Sequence, residues 1–289
     1  MILLDGKKAS QSIKESLKTE VNELISKNIR PGLGIILVGE RKDSHTYVKM
    51  KKNACNEVNI YNHDIILPED VDEETLIIMI NDMNKNNDIH GILIQLPLPP
   101  HINEEKILSQ VKLIKDVDGF HPENIGKLAL KRLEDICVPC TPDGCLQILD
   151  YYEIPIAGKH CVIVGRSNIV GMPLSLLLLH RNATVTICHS RTKDLPEQVK
   201  RADIVFAACG KTQMIKKDWV KKDAVVVDIG INAVDDSSKK SGYRLVGDVD
   251  FNEVKDVCSA ITPVPGGIGP MTIAMLLEHT VKACKRQCM

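Results

Sequence analysis

Apolar residues recur along the chain in two rhythms. Ile13, Leu17, Val21 and Leu24 fall on one face of a 3.6-residue period and predict a helix. Leu33 to Val38 is a solid apolar run between Pro31-Gly32 and Gly39, which predicts a strand buried on both sides. The two signals then alternate. A helix is expected from Ser44, as its cap, to about Glu57, a strand over Asp64–Leu67, a helix over Glu73–Met83 and a third strand over Gly91–Leu96, stopped by Pro97-Leu98-Pro99-Pro100. Thr141-Pro142 reads as an N-cap followed by proline at the first helical position, opening a helix to about Tyr152. After Gly158 a second series begins, with strands expected at His160–Val164, Thr184–Cys188, Ile204–Ala207, Ala224–Ile229 and Ala260–Thr262. Asp235 to Gly242 is a polar segment with the character of a hairpin tip, and a last helix is expected from Met271 to about Lys285.

Strands alternating with helices predict parallel sheets. The expected fold class is α/β, with two αβα domains and largely parallel sheets, the second a Rossmann-type nucleotide-binding domain. The domains are placed at residues 1–145 and 146–270, with a helix at 271–289 returning to the first. A length of 289 residues suits two domains.

Composition narrows the function. The net charge of -1 offers no global basic field for nucleic acid or anionic lipid, and no apolar run is long enough to span a bilayer. The opening residues lack the apolar core of a signal peptide, so the cytoplasm is the expected location. Ten scattered cysteines suit a reducing compartment. Cys137-x-x-Cys140, with Cys145 close by, has the look of a metal or redox pair. No second such pair completes a ligand set, so these thiols are read as buried structural residues and no metal is expected.

The strand at His160–Val164 runs directly into Gly165-Arg166-Ser167-Asn168-Ile169-Val170-Gly171-Met172-Pro173. A glycine at the carboxyl end of a strand lets the backbone turn tightly against a phosphate, and the following helix offers free N–H groups and a positive dipole end. Ser167 stands where the usual fingerprint has its second glycine, so the motif's weight comes from its place at the head of a βαβ series. The next strand ends in His189-Ser190-Arg191, without the acid that holds the ribose hydroxyls of NAD. A hydroxyl and a cation there suit the 2′-phosphate of NADP.

Chemistry-bearing residues gather in the first half. Tyr47 and Lys51 share a helix face, with Ser44 on the same side. By position alone they are either a stacking ring with an acid–base amine or an exposed pair, and Lys49 and Lys52 read as surface charges. Gln95 is polar inside the apolar GILIQL strand, close to its carboxyl end, where ligands of open α/β sheets collect. Asp116-Val117-Asp118-Gly119-Phe120 is an acidic turn, and Pro263 to Pro270 is a rigid loop poor in side chains that opens the last helix.

Together these stretches resemble the bifunctional methylenetetrahydrofolate dehydrogenase/methenyltetrahydrofolate cyclohydrolase family across essentially the whole chain. The matching motifs are YVKMK at 47–51, GILIQLPLP at 91–99, KDVDGFHP at 115–122, PCTPDGC at 139–145, GRSNIVGMP at 165–173 and PVPGGIGPMT at 263–272. The stretch NATVTICHSRT at 182–192 is more similar to NADP-using members than to NAD-using ones. The chain ends soon after the last motif, so no attached formyltetrahydrofolate synthetase module is expected.

The resemblance implies oxidation of 5,10-methylene-tetrahydrofolate to the methenyl cation, with NADP as cofactor, then hydrolysis to 10-formyl-tetrahydrofolate. It makes Lys51 the general acid/base and Gln95 its positioning partner. Asp118 would hold the pterin and Tyr47 stack on the aminobenzoate. The implied substrate set is Ser44, Tyr47, Val48, Lys49, Met50, Lys51, Ile94, Gln95, Leu96, Asp118, Pro265, Gly266, Gly267, Ile268 and Gly269, with folate between the two domains. The cofactor set is Thr141, Gly165, Arg166, Ser167, Ile169, His189, Ser190, Arg191, Ile231 and Thr272. Within it the family places contacts at Arg166 and Ser190, and Arg191 is added for its position. A homodimer formed through the nucleotide domain is also implied. Three other readings remain: a member keeping only the dehydrogenase step, a non-catalytic NADP- or folate-binding regulator, and a metal-bound protein using the Cys137 cluster.

Overall fold

The computed structural model describes residues 1–132, 134, 136–238 and 242–289, leaving out the side chains of residues 42 and 43. The chain divides into two compact units, one made of residues 1–10 and 141–272 and the other of residues 11–140 and 273–289. The boundaries fall inside the helices Gly6–Ser26, Cys140–Tyr151 and Ile268–Cys288. The sequence pattern assigns the amino end wholly to the first domain. Its first ten residues instead belong to the nucleotide unit, because Ile2–Leu3 forms a short strand parallel to Ala260–Ile261.

In the unit of residues 11–140 and 273–289, three parallel strands run in the order Tyr61–Leu67, Gly32–Val38, Gly91–Ile94. The central strand explains why its sequence is apolar throughout. Leu33, Ile35 and Leu37 join a core with Leu17, Val21, Leu24, Val48 and the last helix's Ala274, Leu277 and Val281. Ile36 and Val38 join a second core with Leu76, Ile80, Met83 and Ile107. Side chains alternate across a strand, so a strand with cores on both faces has no position left for a polar residue. Full burial of each such aliphatic side chain contributes about 1.5–3 kcal/mol. Asp72 caps the Glu73–Lys85 helix by accepting from the Thr75 N–H at 2.6 Å.

In the nucleotide unit, six parallel strands lie in the order Thr184–Cys188, His160–Val164, Ile204–Ala207, Val225–Asp228, Ala260–Ile261, Ile2–Leu3. From His160–Val164 the chain steps to one neighbour and then returns to the other side. With right-handed crossovers, that reversal places the helices Gly171–His180 and Leu195–Lys200 on opposite faces. The topological switch point lies between His160–Val164 and Ile204–Ala207, the position at which doubly wound sheets bind ligands. Asn232–Asp235 and Tyr243–Val246 form an antiparallel hairpin, with Asp235–Gly242 at its tip; residues 239–241 of that tip lie outside the described residues.

Several local expectations shift. The second helix spans Lys42–Glu57 and follows Arg41, which makes no side-chain cap; Ser44 is buried in its first turn and does not cap it. The helix at 140 begins at Cys140, so Thr141 sits inside the first turn, where its hydroxyl meets that of Thr272 at 3.1 Å. The strand expected to reach Leu96 ends at Ile94, and the last helix starts at Ile268, three residues ahead of Met271. Among the described residues no helix is long and apolar enough to cross a membrane.

Candidate active site

Two clusters take shape, one in each unit. The first is built on the Lys42–Glu57 helix, the end of the Gly91–Ile94 strand and the turn at residues 116–121. Lys51 Nζ donates to Gln95 Oε1 at 2.9 Å, while Gln95 Nε2 donates to the Leu96 carbonyl at 2.8 Å. The Gln95 main chain is itself fixed, its N–H donating to the Ile36 carbonyl at 2.8 Å. The glutamine therefore has little freedom to turn away. Gln95 lies one residue beyond the regular strand and escapes the two-sided burial that makes Ile94 apolar.

Asp118 completes this cluster. Its turn is shaped by Asp116, a buried carboxylate that accepts from Gly119 N–H at 3.0 Å, His121 N–H at 2.8 Å and Asn124 Nδ2 at 2.6 Å. Gly119 has φ +77, and a Cβ there would lie 2.5 Å from the Val138 carbonyl carbon, so only glycine suits the turn. Burial raises the Asp118 carboxyl above its ordinary range; Lys51 and the Cys140 thiol oppose this, and Asp116 adds to it. Lys51 keeps some surface exposed, yet burial lowers the pKa of its ammonium, with Asp118 pulling the other way. Both shifts favour the uncharged forms, which brings the proton affinities of the amine and the acid closer together.

The other residues of the first candidate set are placed as follows. Tyr47 is half-buried on the Lys51 face, Lys49 and Met50 are exposed, and Val48 is packed in the core. Ile94 is likewise committed to the core and has only its backbone to offer a ligand. Pro265, Gly266, Gly267, Ile268 and Gly269 belong to the nucleotide unit, together with Thr141, Ile231 and Thr272. The clustered cysteines are individually buried. The Cys140 thiol lies 3.2 Å from the Val117 carbonyl, and burial pushes Cys137 up to about 12 and raises Cys145 as well. Lys52 pairs with Asp64 at 3.4 Å.

The second cluster lies at the switch point. Gly165 has φ +141, and a Cβ there would sit 2.1 Å from the Ala208 carbonyl oxygen. A Cβ at Gly171 would sit 2.3 Å from the Gly165 carbonyl oxygen. The loop leaving His160–Val164 is thus pressed against its neighbours and can have no side chain at either position. Ser167 accepts from the Val170 N–H at 3.1 Å and shapes the approach to the Gly171–His180 helix. His189 Nδ1 accepts from the Arg191 N–H at 3.1 Å, and the His189 N–H donates to Thr192 Oγ1 at 2.9 Å. His189 therefore organises the loop that carries Ser190 and Arg191. Arg166, Ser167, Ile169, Ser190 and Arg191 are all exposed, and neither arginine forms an ion pair among the described residues. Two guanidinium groups without an ion pair among the described residues, one of them in a loop that admits no side chain at Gly165 or Gly171, fit a dinucleotide with an extra phosphate.

Sequence reading missed two buried acids in this unit. Asp248 accepts from the N–H groups of Cys209, Gly210 and Lys211 at 2.7, 2.9 and 2.9 Å and from Asn232 Nδ2 at 2.9 Å. Asp228 accepts from the N–H groups of Gly230, Asp248 and Val249 at 3.0, 3.0 and 2.9 Å. Together they fix the loops beyond Ile204–Ala207 and Val225–Asp228, including the loop that bears Ile231. The available signal was an aspartate ending each of two short apolar runs, at VVVD and LVGD.

Fold and clusters together define a two-unit α/β enzyme of the dinucleotide-dependent kind. The comparisons with known proteins narrow this. Residues 4–118 match the model of the tetrahydrofolate dehydrogenase/cyclohydrolase catalytic domain, and residues 139–288 match that of its NAD(P)-binding domain. The chain belongs to the tetrahydrofolate dehydrogenase/cyclohydrolase family. It is 56% identical to bifunctional protein FolD 2 of Arabidopsis thaliana over 98% of this chain and 95% of that one. The crystal structure of the bifunctional FolD enzyme of Campylobacter jejuni superposes with a TM-score of 0.94 at 49% identity, covering 99% of each chain. The Trypanosoma brucei enzyme, solved with NADP cofactor and an inhibitor, has a TM-score of 0.96 at 40% identity, covering 99% of this chain and 98% of that one.

Proposed function

We propose that this protein oxidises 5,10-methylene-tetrahydrofolate to 5,10-methenyl-tetrahydrofolate with NADP and hydrolyses the product to 10-formyl-tetrahydrofolate. The observation that carries the reading is the Lys51–Gln95 hydrogen bond at 2.9 Å, electrostatically coupled to Asp118, in a chain that matches both domain models of the family.

NADP, when bound, supplies the hydride acceptor. Gly165 and Gly171 leave room for its phosphates, and Arg166, Ser190 and Arg191 are the donors for its 2′-phosphate. The dehydrogenase step requires the chain chiefly to position the folate. Asp118 accepts hydrogen bonds from the pterin, and Tyr47 stacks on the aminobenzoate. In the hydrolytic step, uncharged Lys51 takes a proton from the water attacking the methenyl carbon and returns it to the ring nitrogen as the carbon–nitrogen bond breaks. Gln95 Oε1 holds the amine in place throughout. The positive charge on the methenyl group further disfavours the ammonium, in the same direction as burial.

The reading extends to a cytoplasmic homodimer. Ten free cysteines suit a reducing compartment, and Met172 and Leu179 expose apolar surface on the nucleotide unit. Light scattering on the purified chain checks the dimer. The decisive assay follows methenyl absorbance after methylene-tetrahydrofolate and NADP are added. The expected trace rises and then decays faster than the uncatalysed rate. Accumulation without accelerated decay would leave a dehydrogenase alone, and no rise would leave a binding protein.

A further inference from the structure

A group of side chains outside both clusters brings thiols together. Cys284 and Cys288 are four residues apart on the Ile268–Cys288 helix, and their sulfurs and a ring nitrogen of His90 all lie within 4.8 Å of one another. His90 Nε2 is 3.3 Å from Cys288 Sγ. The ring's other nitrogen, Nδ1, accepts from the Gly32 N–H at 3.1 Å. An imidazole that accepts at Nδ1 carries its proton on Nε2, so Nε2–H points at the Cys288 sulfur. Burial and the nearby Lys115 lower the His90 pKa, which keeps the ring neutral.

This arrangement discriminates between two uses. Two sulfurs and an imidazole suit a soft divalent cation such as Zn²⁺. Ligation through Nε2 would require the ring proton on Nδ1, where the Gly32 N–H already points. That N–H belongs to the buried central strand, and orphaning it costs about 1–3 kcal/mol. The donor geometry instead serves a sulfur on which negative charge develops. The two thiols also differ: Cys284 is buried and pushed up to about 12, whereas Cys288 is the one exposed cysteine of the ten. One thiol meets solvent while the other waits behind it with its proton in place.

We propose that Cys284 and Cys288 form a redox-modifiable pair that a peroxide converts reversibly to an intramolecular disulfide. Cys288 sulfur attacks hydrogen peroxide; the O–O bond breaks, the sulfur is oxidised to a sulfenic acid, and one water leaves. Cys284 sulfur then attacks the sulfenic sulfur, its proton leaves with the departing hydroxyl as a second water, and the S–S bond closes. A four-residue helical spacing rises about 6 Å, inside the usual Cα range for disulfides, but the Cβ atoms must approach more closely than a regular helix allows. The last helical turn therefore opens as the bond forms, and such a strained disulfide is readily reduced by a dithiol.

The test treats the reduced, metal-free full-length protein with a modest excess of hydrogen peroxide, blocks remaining thiols and digests with trypsin. The expected product joins the peptides Ala283–Lys285 and Gln287–Met289, and dithiothreitol separates them. Cys288→Ser abolishes the product. Cys284→Ser leaves a sulfenic acid on Cys288 that a dimedone probe labels, and His90→Gln slows disulfide formation several-fold. Both cysteine variants keep wild-type dehydrogenase rates, since neither thiol touches the proposed chemistry. Oxidation of Cys288 to sulfinic acid in the wild type without the cross-link would overturn the proposal. So would a disulfide joining two chains, or a stoichiometric zinc ion that shields both thiols.

Discussion

Replacing Gln95 tests the proposed chemistry through a group that does not itself carry the proton. Leucine matches glutamine in size but cannot accept from Lys51 Nζ, so Gln95→Leu removes the 2.9 Å hydrogen bond while the Gln95 main-chain bond to Ile36 survives. A hydrogen bond to a charged group contributes about 1.5–3 kcal/mol. That bond stabilises the ammonium, so its loss lowers the Lys51 pKa further, by about one to two units at 1.36 kcal/mol per unit. Gln95→Glu acts in the opposite sense, because a carboxylate at the same place stabilises the ammonium and raises the pKa. The assay is the cyclohydrolase rate, read as decay of methenyl absorbance, across a pH series for all three proteins. The limb set by Lys51 should move to lower pH in the leucine variant and to higher pH in the glutamate variant. The leucine variant should also lose about ten- to a hundredfold in rate, since its amine is no longer held in place. If both variants kept the wild-type limb, Lys51 would not be the titrating group and the assignment would fail.

Lys51→Met should lower cyclohydrolase activity by about 10²–10⁴-fold with folate affinity retained, and an unchanged rate would remove Lys51 from the chemistry. Asp118→Ala should weaken folate binding about ten- to a hundredfold in both activities while NADP binding stays intact, as isothermal titration would show. Arg166→Ala combined with Ser190→Ala should erase most of a preference for NADP over NAD of at least about tenfold, because two charge-assisted contacts together contribute about 3 kcal/mol or more. Equal loss with both cofactors in kcat/KM would show that these residues do not read the 2′-phosphate. Burial pushes Asp228 up to about 7 against three N–H donors, so the folded state holds a proton that the unfolded state releases above about pH 4. Stability should therefore fall as pH rises toward 7, by up to about 1.4 kcal/mol per pH unit, and level off above it. Urea unfolding of wild type and Asp228→Asn between pH 5 and 8 checks this; a constant difference would mean that the donors outweigh burial and the carboxyl stays ionised.

The legible parts of the fold were those whose burial leaves a mark on every residue. His160–Val164 and Ile204–Ala207 have the bounds that their apolar runs predict, because central parallel strands admit almost no polar residue; Thr184–Cys188, at the edge of the sheet, also has its expected bounds. Ile2–Leu3 was invisible for the converse reason: two exposed residues have no periodicity, and their partner lies near the other end of the sequence. Cap assignments at Ser44 and Thr141 failed because both helices start earlier than expected, which puts Ser44, buried, and Thr141, with its hydroxyl against that of Thr272, inside the first turn. Gln95 was legible as a polar residue near a strand's carboxyl end and Asp118 as part of an acidic turn, whereas Lys51 was singled out only by the family resemblance, its helix face alone leaving an exposed pair open. Their mutual placement was not legible, since it depends on the Asp116 turn and on a glutamine one step past its strand. Asp228 and Asp248 were not singled out because their sequence neighbours do not show that seven donors converge on the pair. The His90 group escaped notice for a similar reason, its histidine and cysteines lying almost two hundred residues apart in the sequence.

The interleaving of the two units has a consequence during synthesis. The strand Ile2–Leu3 is translated long before Ala260–Ile261 and cannot pair until that strand has followed. The other unit has its three-stranded sheet early but lacks Ala274, Leu277 and Val281, which are translated well over a hundred residues later and fill the same core as Leu33 and Ile35. The nucleotide unit is therefore complete only after all of residues 11–140 have been made, and the other unit only after the nucleotide unit has been translated. A premature stop or a nick near residue 260 would leave both with exposed apolar surface, which marks the truncated product for chaperones and proteases in place of yielding one working half.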